Sequence, residues 1–367
     1  MIQMQKISRF LIYAVVALIP LFTLPFTADV LNFPKQCLFL LLISLAVFFW
    51  IGGMIAAKKI TLKYNKSIFI IIILLAAALV SSLVSLYPYG SFWGLPLSTV
   101  DNFANLFGFA LLYLLIINLF DQKSSVNLLF CAIISCGLAG LYALLQGFGL
   151  YLVPFGYAKS SFFNTVGTAS GLIFVVAVCL CAALPLIFIS KGWRKWLLII
   201  CAVVFGLDMI FYNVTLGWIT VSIGLLGLFL FAMSSDKFAA IHKNVRSISF
   251  LLLTIAIIFV CLNFFGGTMM PNVYSTVYEC IHFNPQPLEV YLTQPATAKI
   301  VNNTLRQTAT TFFFGSGPGT FIYDFEKFKP AQIVQNDNFW NVEFTNGASE
   351  ILDIIATKGF LGILIFA

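Results

Sequence analysis

Apolar runs and short polar connections alternate along this chain, and the lengths of the runs point to its fold. Stretches at residues 7–26, 37–57, 67–86, 102–120, 126–150, 165–190, 196–211, 214–233, 248–265 and 348–367 are predominantly apolar. A hydrocarbon core about 30 Å thick takes about 20 residues of helix to cross, so each run predicts a membrane span. In lipid the backbone must satisfy its own polar groups, and the short alternating segments that build a barrel are absent. The expected fold is all-α: a polytopic transmembrane helix bundle of about ten spans, the last incomplete, with one large extracytoplasmic loop. Residues 1–265 form the nine-span bundle in this reading, 266–347 the loop carrying a candidate site, and 348–367 the start of the tenth span.

Composition leaves no soluble alternative. Hydrophobic residues make up 61% of the chain and charged residues 9%, against roughly 45–50% and 25% in soluble domains. At a mean hydropathy of +1.01 too little polar surface remains to face water, and disorder needs the opposite balance. The 20 Lys and Arg form no clustered basic patch on a polar surface, which argues against nucleic acid. Cys37, Cys131, Cys136, Cys179, Cys181, Cys201 and Cys261 lie in apolar runs and Cys280 in a polar one. No CxxC or Cys/His spacing suggests a metal or a disulfide framework.

Charge placement sets the orientation. The first run follows Lys6 and Arg9 and lacks a small-residue cleavage site, so it reads as a retained span with the N-terminus in the cytoplasm. Every second connection is then internal. Those connections hold Lys58, Lys59, Lys63, Lys66, Lys123, Lys191, Arg194, Lys195, Lys237, Lys243 and Arg246, whereas the short outer loops hold only Lys35 and Lys159. That bias is the positive-inside signature. The outer loops at 87–93 and 151–155 are aromatic, as headgroup anchors are. Asp208, inside the seventh run, reads either as functional or as a snorkelled, hydrogen-bonded residue.

Residues 266–347 carry most of the remaining polar chemistry. Pro271, Pro285, Pro287 and Pro295 are expected to end any helix there, whereas 297–314 has no Gly or Pro and predicts one amphipathic helix. Its Ile300, Leu305, Phe312 and Phe313 would rest on the membrane, with Lys299 and Arg306 turned outward. The helix leads into Gly315-Ser316-Gly317-Pro318-Gly319-Thr320-Phe321. Such a turn is either a tight helix cap or a nest whose backbone N–H groups hold an oxyanion.

Taken together, the many spans, the late outer loop with Arg306 near its middle, the 315–321 turn and the exit motif Gly359-Phe360-Leu361-Gly362 resemble the O-antigen ligase/polymerase family of bacterial envelope glycosyltransferases. Ser161-Phe162-Phe163-Asn164 resembles the family's outer Asn-containing loop. The resemblance implies a plasma-membrane enzyme that moves a glycan from a polyprenyl-diphosphate carrier to an acceptor hydroxyl at the outer face, without metal or other cofactor. It implies that Arg306, with Lys299 or Lys327, holds the diphosphate, and that Gly315, Gly317 and Gly319 supply backbone donors to it. Guanidinium suits phosphate because it is always charged and binds through two hydrogen bonds.

Two departures stand against a complete catalytic set. The family's His-Asn pair, eleven residues before the exit glycine, falls here on Ala348 and Ser349, and the run 213–218 lacks the family's Arg. Glu343 and Glu350 flank the expected base and are its candidate replacements, since a carboxylate at an interface can serve as a base. Glu350 and Asp353 also complement the dipole of the last helix. Because the family continues with at least one more helix, the chain is expected to be incomplete beyond Ala367. The rival readings are a lipid-linked-glycan binder without transfer and a polysaccharide transporter or flippase. Transporters place charges at mid-span within inverted repeats, and here Lys358 is the exception among nearly uncharged spans.

Overall fold

The computed structural model describes residues 2–27, 29–60, 62–63, 65–94, 101–153, 155–160, 163–234, 239–269, 292–335 and 341–366. Among these residues every regular element is helical. Seven helices are long and apolar enough to cross a bilayer: α2 (Asn32–Ala56), α3 (Lys66–Leu83), α6 (Gln122–Gly147), α7 (Ala169–Ile189), α8 (Trp193–Tyr212), α9 (Thr215–Ser234) and Asn244–Phe265 within α10 (Ala239–Met269). The α1 helix (Ile2–Leu18) and the apolar α5 (Phe103–Leu119) have 17 residues each. Large side chains such as Phe48, Ile55, Ile70, Ile223 and Phe231 face outward, as lipid contact requires. The α10 helix begins well before the expected start at 248, because nothing between Ala239 and Phe265 is Gly or Pro.

The chain folds into two compact units that do not follow its linear order. One comprises Val16–Pro25 and Gln122–Pro287 and is built from α6–α10. Its core joins Ile133, Leu172, Val176, Phe205, Met209 and Leu225. Small residues let α6 and α8 approach closely: Gly137 sits against Cys201 and Gly147 against the Phe211 ring. At the start of α8, Arg194 lies 5.4 Å from the Phe130 ring centre and donates to Asn127 Oδ1 at 2.9 Å. Asn213 ends the helix in a left-handed conformation and accepts from the Trp218 indole at 2.9 Å.

The other unit comprises Met1–Val15, Phe26–Asp121 and Leu288–Ala367. It gathers α2, α3, α4 (Pro88–Trp93) and α5 with α11 (Gln294–Leu305), α12 (Ala309–Phe314), α13 (Phe321–Phe328), α14 (Ala331–Val334) and α15 (Glu350–Phe366). The polar segment therefore has helices and a core of its own, in which Leu292, Ile300, Val301, Phe321, Phe325 and Phe344 pack with Ala356 of α15.

Three local expectations change here. The single helix expected over 297–314 is two helices, because Thr308 starts a new one. Its Oγ1 accepts from the Thr311 N–H, and Thr311 Oγ1 accepts from the Thr308 N–H, both at 3.1 Å. Pro295 opens α11 instead of ending a helix, since the first turn has no use for its missing N–H. Ile300 is buried inside this unit, not laid on a membrane, whereas Phe312 and Phe313 are exposed. Pro271, Pro285, Pro287, Cys280, Ser161 and Phe162 lie outside the described residues.

Candidate functional site

The glycine turn after α12 is held from three sides. Its start follows from α12, whose last carbonyls it closes: the Gly315 N–H donates to Thr311 O at 2.9 Å. The next residues then run alongside α15, with the Ser316 and Gly317 N–H groups donating to Ala356 O and Thr357 O, both at 2.9 Å. From α3, Ser81 Oγ donates to Phe314 O at 2.7 Å and approaches Thr357 O at 3.1 Å, and just beyond α3 the Leu86 N–H donates to Ser316 O at 2.9 Å.

Two glycines make that approach possible. Gly359 interrupts α15 at φ 66°, ψ −165°, a backbone region essentially closed to other residues. Gly315 adopts nearly the same conformation, at φ 74°, ψ −171°. A Cβ at Gly359 would sit 2.5 Å from Gly315 N, and one at Gly315 would sit 2.3 Å from the Thr357 carbonyl carbon. The turn is thus docked backbone to backbone into the break of α15.

Beside the break, Lys358 Nζ donates to Asp101 Oδ1 at 2.9 Å. Asp101 immediately precedes Asn102, which caps α5 by accepting from the Asn105 N–H at 2.8 Å. The other oxygen of Asp101 accepts a long bond, 3.4 Å, from the Gly319 N–H. Lys358 also borders a groove whose remaining walls, including Leu74, Ala78, Leu106 and Leu361, are apolar.

Under the turn lies a buried polar cluster. Ser316 Oγ donates to Asp324 Oδ2, and Thr320 Oγ1 donates to Gly317 O at 2.6 Å while lying 2.8 Å from Ser316 Oγ. The Thr304 hydroxyl faces the same carboxyl without meeting hydrogen-bond geometry. Burial pushes the Asp324 carboxyl up to about 6, against the lowering effect of the Ser316 hydroxyl.

Against known families, curated proteins and solved structures, this chain matches none. Its chemistry is read from its own geometry.

That geometry treats the expected site residues unequally. Lys299, Arg306 and Lys327 are all exposed. Arg306 lies seven positions after Lys299 and keeps helical angles at the end of α11, so the two share one face. Lys327 donates to Gln307 Oε1, which brings the third cation beside that end. Glu343 and Glu350 are exposed, with Glu350 opening α15. The Gly315 and Gly317 N–H groups are spent on the fold, and an anion reaching that of Gly319 would compete with Asp101. Ala348 and Ser349 are held in place: the Ala348 N–H donates to Thr297 Oγ1 at 3.0 Å, and Ser349 Oγ accepts from the Leu352 N–H at 3.3 Å. Asp353, one turn on, accepts the Gly347 N–H at 2.9 Å on both oxygens. Sequence reading missed the role of Asp101, for which no local signal exists. Among the described residues no cluster of three or more His, Cys, Asp or Glu is placed to hold a metal ion.

Proposed function

We propose that this chain is a multi-pass plasma-membrane protein with a cytoplasmic N-terminus, about ten spans and residues 266–347 outside, and that it transfers a glycan from a polyprenyl-diphosphate carrier to an acceptor hydroxyl at the outer face. One observation carries the reading. Lys299 and Arg306 share one exposed face of α11, and Lys327 is held beside its C-terminal end, on a segment with its own core in a chain of long apolar helices. Diphosphate is the leaving group of such a transfer, and cations placed where its charge develops lower the barrier. The docked glycine turn anchors α12, which follows the basic end of α11 in the chain, to α15 and α3. Glu343 or Glu350 would take the acceptor proton.

A second reading, a lipid-linked-glycan binder without transfer, is favoured by one feature, the Ala348-Ser349 pair where the resembled family has His-Asn.

Binding of a polyprenyl-diphosphate glycan to the protein in nanodiscs tests the shared part of both readings. Loss of a charge-assisted contact costs about 1.5–3 kcal/mol, so Arg306→Ala should weaken binding about 10- to 150-fold. Arg306→Lys should weaken it as well, because the planar fork is lost. Undiminished binding by Arg306→Ala would overturn the site.

A further inference from the structure

The α8 helix carries a carboxyl that the proposed site does not use. Asp208 is 0% exposed, and neither of its oxygens has a hydrogen-bond partner. It points at α6, where Gly140 leaves the space it fills: a Cβ there would lie 2.3 Å from Asp208 Oδ2. Val204, Phe205 and Met209 surround it on its own helix, and all three are buried. The sequence alternatives of snorkelling to an interface or bonding to a neighbour both fail here.

The ionisable surroundings are sparse. On α8 itself, Tyr212 lies one turn on from Asp208 and is buried. The thiols of Cys136 on α6 and Cys201 on α8 belong to the surrounding core, and Cys179 on α7 packs against it. Among the described residues no Lys, Arg or His forms an ion pair with Asp208. An isolated carboxylate in such a place carries a desolvation cost that no contact offsets, and a buried group in that position takes up a proton instead.

We infer that Asp208 is a proton-binding site in the helix bundle, occupied at neutral pH, in which α6 and α8 enclose a neutral carboxylic acid. Gly140 is the positioning residue that makes room for it. The inference is independent of the glycan reading, since α6 and α8 belong to the other compact unit.

A hydrophobic carbodiimide dissolved in the membrane reads this state directly. The acid's proton goes to a carbodiimide nitrogen and its oxygen adds to the central carbon. The acyl group then shifts to nitrogen, leaving a stable N-acylurea with no atom lost. With the full chain in nanodiscs at neutral pH, peptide mapping should find the adduct on Asp208. Infrared spectra should show the C=O stretch of a protonated carboxylic acid, which Asp208→Asn removes. Labelling should fall as the medium is made strongly alkaline. The mapping uses the unaltered protein, so it decides the matter even if the Asn variant folds poorly. Absence of both the adduct and the protonated-acid band in folded protein would overturn the inference.

Discussion

Lys358 and Asp101, 257 positions apart, form an ion pair at 2.9 Å that ties the break in the last helix to the start of α5. The two ends are unequally exposed, 8% for Lys358 and 35% for Asp101. Removing the carboxylate that faces a buried charge costs about 3–5 kcal/mol, whereas a carboxylate that keeps contact with water loses about 1 kcal/mol or less. Asp101→Asn should therefore lower the thermal unfolding temperature in detergent more than Lys358→Met does. The opposite order would mean that the lysine, not the aspartate, holds this end of the unit together.

Gly359 and Gly315 are pressed together in backbone conformations that other residues avoid. Gly359→Ala combines conformational strain with a clash against backbone that cannot move aside, at about 2–5 kcal/mol in total. Gly206, in a helix with nothing near its missing Cβ, is the control. Gly206→Ala should leave stability unchanged or raise it by up to about 1 kcal/mol. Size-exclusion profiles against temperature distinguish them, and equal melting of the two variants would refute the docking role of Gly359.

What the chain reveals in advance follows the range of each interaction. The cores of α2, α3 and α6–α9 are legible because lipid demands long apolar helices, and the demand is met locally. The glycine turn is legible as a turn, because Gly315, Gly317 and Gly319 all take positive φ. Its purpose is not, because α15, whose carbonyls take up the N–H groups of Ser316 and Gly317, and α3, whose Ser81 donates to Phe314 O, arrive from far along the chain. The break before Thr308 escapes notice since Thr311 replaces the Glu or Gln that usually marks a capping box. Ile300 looks free to face lipid until Phe321, Phe325 and Phe344 are folded over it. Asp101 looks like loop chemistry next to a capping Asn102, and only the fold gives it Lys358.

Asp324 should make stability depend on pH in a definite direction. Its carboxyl titrates near 3.8 when unfolded and is raised to about 6 in the fold, chiefly by burial. Between those values the folded state holds more proton than the unfolded state, so stability falls as pH rises through that window. The contribution is complete below the lower value and lost above the upper one, a difference on the order of 2–4 kcal/mol. Asp324→Asn keeps an acceptor for Ser316 and cannot ionise. Denaturant midpoints of the two proteins should therefore diverge from pH 4 to pH 7.5, the variant becoming relatively more stable. Parallel curves would show that this carboxyl does not carry the effect.

The absent histidine gives the test that separates transfer from binding. If a carboxylate takes the acceptor proton, transfer should rise with pH through one ionisation and vanish in either Glu343→Gln or Glu350→Gln, since glutamine keeps shape but accepts no proton. Both residues are exposed, so neither change should cost more than a few tenths of a kcal/mol in stability. Glu350 is the stronger choice because it opens α15, directly after the Ala348-Ser349 pair. That pair can be converted with little structural cost. Ser349 caps α15 through the Leu352 N–H, and asparagine caps a helix as well as serine does. Ala348 contributes to its neighbours through backbone groups, its N–H to Thr297 and its carbonyl to Gln294 at 3.4 Å, which a histidine retains. Ala348→His with Ser349→Asn should then raise transfer at neutral pH, by 10²-fold or more if general base catalysis was the missing element. Full activity in the double Glu343→Gln, Glu350→Gln variant would remove the carboxylates from the mechanism. Silence of the His-Asn variant with carrier still bound would leave binding as the function.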